Sequence, residues 1–118
     1  MMHLKKLTYF TRFDWDAFAQ DKTFQVTGIR PRYDSDDRQR IIGSTVDVVI
    51  IRDDTQYQCK PGEAVTNLFE KLNIKLPQTE VAVQLGDYVQ PVNATATVYG
   101  EYRDKLSVKA DDILTMEE

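Results

Sequence analysis

The chain has one cysteine, Cys59, and one histidine, His3, in 118 residues. A lone cysteine cannot close an internal disulfide, and without a CxxC pair there is no zinc-ligand spacing, so the sequence suits a reducing cytoplasm. A single histidine at the extreme terminus leaves no base for a Ser-His-Asp or Cys-His relay. The phosphate-cradling patterns GxxxxGK[ST] and GxGxxG are absent, and with them the usual nucleotide-binding loops. No run approaches the roughly 20 apolar residues of a membrane span, and the opening MMHLKKLTYFTRFDWD lacks the continuous apolar stretch of a secretory signal. Low-complexity tracts and Pro/Gly-rich linkers are missing, and no internal repeat stands out. These absences predict a soluble, cytoplasmic, non-enzymatic protein with no metal and no cofactor.

What is present is ordinary for a globular domain: 42% hydrophobic and 29% charged residues. At this length folding removes roughly two-thirds of the unfolded chain's surface from water, enough for one core without staples. The net charge of −4 is uneven. Residues 1–60 hold ten Lys/Arg against nine Asp/Glu, and residues 61–118 hold five against ten. That acidity argues against strong non-specific duplex binding, while leaving room for a local basic groove.

Residues 1–21 are crowded by Phe10, Phe13, Trp15 and Phe18, with Asp14 or Asp16 as helix caps. They are expected to form an N-terminal arm with one short helix, either covering an end of the core or meeting a partner. From Thr23 the texture becomes β. TFQVTGIRPRY alternates, and Gly28 within it signals a bulge or bend. Residues 34–38 form a polar loop, Ile41 to Ile51 a long strand, residues 52–55 a turn, and Gln56 to Cys59 a returning strand. Val65, Leu68, Phe69 and Leu72 then fall at i, i+3, i+4 and i+7, which predicts a helix. Residues 85–89 read as a turn entering a strand, further strands are expected over 94–102 and from Leu106, and Pro91 is expected at a strand end or on an edge.

The resulting order predicts a mainly β fold: a five-stranded, OB-fold-like Greek-key barrel over residues 22–118, with one helix between strands 3 and 4. The tail GDYVQPVNATATVYGEYRDKLSVKADDI (86–113) resembles the closing strands of small OB-fold single-stranded-DNA-binding proteins of Gram-positive conjugative elements and phages. The resemblance spans about residues 23–114. It implies a single-stranded DNA binder of little sequence specificity, serving mobile-element transfer or phage replication.

Such a binder needs cations to follow the phosphates and aromatic faces to stack the bases. The cations and rings on offer are Lys22, Arg30, Arg32, Tyr33, Arg38 and Arg40 around the first loop, Arg52 and Tyr57 around the middle hairpin, and Tyr99, Tyr102, Arg103, Lys105 and Lys109 in the last. Those expected to carry binding are Arg30, Arg32, Tyr33, Arg38, Arg40, Arg52, Tyr57, Tyr102, Arg103 and Lys105. In an OB-fold the loops after strand 1 and between strands 4 and 5 flank the binding face. Cations 30–40 and 103–105 are therefore expected to converge. The alternative is a protein-interaction module on the same fold, an accessory factor or a phage inhibitor of a host system. It would engage a protein through the aromatic arm or the acidic C-terminal half, and a homo-oligomer is compatible with either role. Asp34, Asp36 and Asp37 lack the glycine and distal glutamate of a calcium loop and suit a solvated turn.

Overall fold

A computed structural model describes residues 4–5, 13–57 and 65–116. His3, Phe10, Cys59, Glu117 and Glu118 lie outside them. The chain is mainly β. A short helix, α1 (Trp15–Ala19), precedes seven strands: β1 (Lys22–Tyr33), β2 (Ile41–Asp53), β3 (Lys71–Leu76), β4 (Tyr88–Val92), β5 (Thr95–Tyr99), β6 (Lys105–Lys109) and β7 (Asp112–Thr115). They form one sheet in the order β5-β6-β3-β2-β1-β4-β7. All neighbours are antiparallel except β3 and β6.

The long β1–β2 hairpin is the spine. Phe24, Val26, Val46, Val48 and Ile50 alternate onto its inner face and are buried, as a half-buried antiparallel pair requires. Three register shifts re-aim it, one of them near its far end, where Ile42 is the extra residue between the Arg32–Gly43 and Tyr33–Ile41 pairs. Thr27 is the extra residue between the Val26–Val48 and Gly28–Asp47 pairs, so the bulge expected at Gly28 is present. Ile51 is the extra residue between the Phe24–Ile50 and Thr23–Arg52 pairs. The bulge at Ile51 shifts the phase by one, so Asp53 follows Ile50 onto the inner face. At its start α1 is capped by Asp14, whose carboxylate accepts from the Ala17 N–H at 3.1 Å. Trp15 from α1 is only 5% exposed and stacks on Phe24 at 5.6 Å between centroids. The aromatic segment thus contributes to the core.

Four expectations need correction. The helix over 65–72 does not form. Residues 65–67 have no regular structure, with Thr66 and Asn67 bonded to Asp53, Leu68 and Phe69 make a turn with Phe69 at φ +69°, and a strand starts at Lys71. The physical reason is the alternation Leu72, Ile74, Leu76, which faces the core while Lys71, Asn73 and Lys75 face out. Six successive pairs with β2 satisfy its backbone, which a helix at this place could not do. The strand at 56–59 is also absent among the described residues, because β3 occupies that place beside β2. Among the described residues the helix is α1, ahead of the sheet rather than between strands 3 and 4. Finally, among the described residues there are seven strands and not five, and the terminal strands β5 and β7 do not pair to close a barrel. Asn93, at φ +52°, parts β4 from β5, the strand expected near 94–102 ends at Tyr99, and the one expected from Leu106 is interrupted at Ala110-Asp111 between β6 and β7.

Candidate nucleic-acid interface

Alternation along β2, β3, β5 and β6 leaves one broad face of the sheet outside the core. Its side chains are Lys71, Asn73 and Lys75 from β3, Lys105, Ser107 and Lys109 from β6, and Thr95, Thr97 and Tyr99 from β5. Lys75 and Lys109 are direct partners in the parallel β3–β6 register. Lys71 and Lys105 stand four residues earlier on the same strands, about 13 Å along at 3.3 Å per residue. Among the described residues no carboxylate lies within 4.0 Å of any of these four ammonium groups. The strand carboxylate on this face is Asp47 of β2, and it is already engaged. Arg30 grips it with two hydrogen bonds of 2.8 and 3.0 Å. The second half of the chain is acidic, yet four of its five cations share this face.

Like charges directly opposite in a sheet destabilise it. A Lys–Lys pair in register is tolerated here because both ammonium groups remain in water, and it is available to an anion that sits between them. Tyr99, half-exposed at 50% and paired with Lys105, adds an aromatic face beside the cations.

The sequence-derived candidates scatter. Arg30 is neutralised by Asp47. Arg32 lies opposite Gly43 and donates to the Leu76 carbonyl at 3.3 Å. A Cβ on Gly43 would collide with that same carbonyl oxygen, so glycine is what lets the arginine cross β2. Tyr33 is 48% exposed at the far end of the hairpin. Arg38 is exposed in the loop beyond it, and Arg40 reaches Asp34 at 4.0 Å. Arg52 is spent on Thr23 and Asp54. Tyr102 is 80% exposed at the β5–β6 tip, and Arg103 adopts φ +56° beside it.

The two cation sets do not converge. β6 runs parallel to β3, so Lys105 and the 100–104 tip lie level with Lys71 and therefore with Val49 of β2. The 34–40 loop enters β2 at Ile41, about 27 Å further along the strand at roughly 3.4 Å per residue. Of the residues expected to carry binding, Lys105 belongs to the lysine face. Lys109, offered by the last hairpin, stands beside it, whereas Lys71 and Lys75 were missing for want of one signal. KLNIK (71–75) and KLSVK (105–109) are the same Lys-Leu-polar-branched-Lys pentapeptide, and they pair in parallel register. An internal repeat is therefore present after all.

Tyr57 and Lys22 belong to a different arrangement. Lys22 and Asp53 are register partners on the inner face, 3.4 Å apart, with side chains 1% and 0% exposed. Asp53 accepts from the Asn67 N–H and the Tyr57 hydroxyl, both at 2.8 Å. Lys22 donates to the Phe18 carbonyl at 2.8 Å and lies 4.0 Å from the Phe18 ring centroid. Burial works to raise the Asp53 pKa, but the hydrogen bonds from Asn67, Tyr57 and Thr55 outweigh it and hold the carboxyl well below the usual range. This cluster ties α1, both long strands and the 65–67 segment together, and it removes Tyr57 from any role as an open stacking platform.

Among the described residues no group of three or more His, Cys, Asp or Glu side chains is placed to hold a metal, and no helix is long and apolar enough to cross a membrane. Comparison with protein-family models, curated proteins and solved structures finds no match to this chain.

Proposed function

We propose that this protein binds single-stranded nucleic acid, DNA in the first place, without enzymatic turnover and with little sequence preference, in the cytoplasmic setting of mobile-element transfer or phage replication. The observation that carries the reading is the Lys75–Lys109 pair on an exposed face, flanked by Lys71, Lys105 and Tyr99. A phosphodiester backbone laid across β3 and β6 meets four cations in two ranks, and Tyr99 offers a base its face. Connectivity supports an OB-like reading of the scaffold. β1–β2–β3 is a meander, β3 and β6 are parallel, and the broken hairpin 88–99/105–115 touches β3 through β6 and β1 through β4. If each broken pair counts as one strand, five remain. A groove between strands of such a sheet is a common seat for oligonucleotides.

The test is fluorescence anisotropy with a labelled oligothymidine at low salt. Lys75→Ala and Lys109→Ala should each weaken binding and reduce the salt slope by about 0.7, the contribution of one phosphate contact on a single strand. Absence of binding by the wild type overturns the proposal. A protein-interaction role is the second reading. Ile29, Tyr33, Ile41 and Ile42 favour it, all more than one-third exposed at the far end of the β1–β2 hairpin.

A further inference from the structure

The parallel strands β3 and β6 pair at only two positions, Ile74–Val108 and Lys75–Lys109. Both strands begin three residues earlier, yet among the described residues no bridge pairs 71–73 with 105–107. The strands splay there, and a pocket of about 360 Å³ opens between them. Leu72 and Leu106 stand on its opposite walls, and Val98 with the edge-to-face pair Phe13 and Phe18 (5.3 Å between centroids) supplies the rest of an apolar lining. Lys71, Lys105 and Arg103 stand at its mouth, along with the carboxylates of Glu70 and Asp104.

We propose that this pocket receives one unstacked nucleobase of the bound strand, whose flanking phosphates lie on Lys71 and Lys105. The inference rests on the nucleic-acid reading above and adds a site to it. A base is flat and apolar on its faces and polar at its edge, which matches an aromatic-lined cleft with polar groups at the mouth. Residues 71–73 pair with β2 and 105–107 with β5, and between the two segments no bridge closes the edge, so the strand edges that border the gap can offer polar groups to a base edge. Glu70 and Asp104 accept from ring N–H or exocyclic amine groups, while the cations at the mouth select an anionic strand over a neutral ligand. The volume lies at the lower end of the range for small-ligand pockets, so it takes one base and not a stacked pair.

The experiment compares two labelled oligomers of about twelve residues at low salt, within the span a single fold of this size covers. One is oligothymidine. The other has the same phosphodiester backbone with every base removed. Each is titrated against the wild type and against Val98→Phe and Leu106→Phe, which fill the pocket, with circular dichroism to verify folding. The wild type should prefer oligothymidine about tenfold or more. A folded pocket-filling variant should lose most of that preference while keeping the salt slope, since no phosphate contact is removed. Equal affinity of the wild type for both oligomers overturns the pocket, even if both bind well. Retention of the full preference in a folded variant also overturns it and moves stacking to Tyr99. Displacement of oligothymidine by thymidine monophosphate at comparable concentration overturns the strand-borne assignment in favour of a free nucleotide. Failure of the wild type to bind either oligomer is a separate outcome, and it removes the nucleic-acid reading itself. If both variants unfold, Tyr99→Ala decides: a preference it keeps supports the pocket, and a preference it loses overturns the pocket in favour of Tyr99.

Discussion

Asp53 concentrates more of the fold's polar energetics than any other described side chain. Its carboxylate and the Lys22 ammonium are both out of contact with water. Removing one member of such a pair strands the other charge, which typically costs about 3–5 kcal/mol. Asp53→Ala should therefore lower the unfolding free energy by about that amount in urea titrations at neutral pH. The same carboxyl makes stability depend on acid. Its folded pKa lies below the unfolded value of about 3.9. The unfolded chain then binds more protons, so stability is fully present above pH of about 4 and is lost as pH falls through the folded pKa. Urea midpoints should drop between pH 5 and pH 2.5, and Asp53→Asn should flatten that drop relative to wild type. Gly43 is the second decisive residue. A methyl group there meets the Leu76 carbonyl and the Arg32 guanidinium together. Gly43→Ala should cost about 1–3 kcal/mol, as overpacking does, although the backbone at that position is ordinary extended strand.

At the scale of the element, the segment from Val65 to Leu76 is where helix and strand readings part. The exposed Phe69 holds φ +69°, a conformation that costs a residue with a Cβ roughly 1–2 kcal/mol. Phe69→Ala should change stability by less than about 0.5 kcal/mol, and Phe69→Gly should raise it by about 1 kcal/mol. Leu76→Ala, at a fully buried strand position, should cost about 2–5 kcal/mol. A helix over 65–72 would reverse this order, with Phe69 in the core and Leu76 beyond its end. Thermal or chemical denaturation of the three variants distinguishes the two. The segment misleads because its apolar residues satisfy both periods. Val65, Leu68, Phe69 and Leu72 mark a helical stripe, and Leu72, Ile74 and Leu76 a strand. The choice falls to the strand because β2 has an open edge from Ser44 to Val49 and needs a partner there.

At the scale of the whole molecule, function turns on which cations are free. Arg30 and Lys75 both border Thr45 in the register, one across β1–β2 and the other across β2–β3. They should respond differently. Lys75→Ala should weaken oligothymidine binding and flatten its salt dependence. Arg30→Ala should leave the salt dependence nearly unchanged or strengthen repulsion slightly, because it releases the Asp47 carboxylate that it now neutralises. Anisotropy titrations over a series of salt concentrations measure both. Equal effects would show that the bound strand runs over β1 rather than along β3 and β6.

The mainly β character, the strands β1 and β2 with the bulge at Gly28, and a short helix started by Asp14 or Asp16 were legible in the sequence. Alternation, turn residues and caps act over a few neighbouring positions, and their physics does not wait for the rest of the chain. The loop at 34–40 and its cations were legible for the same reason. The partner of β2, the breaks at Asn93-Ala94 and Ala110-Asp111, and the burial of Lys22 were decided only by tertiary structure. Each depends on which strand edge remains unpaired, or on a one-residue bulge that reverses every side chain after it. The lysine face is the sharpest case. Lys71 and Lys75 lie 34 residues from Lys105 and Lys109, and composition counts all four within an acidic half. A parallel register brings them side by side, and that register exists only once β3 has taken its place between β2 and β6.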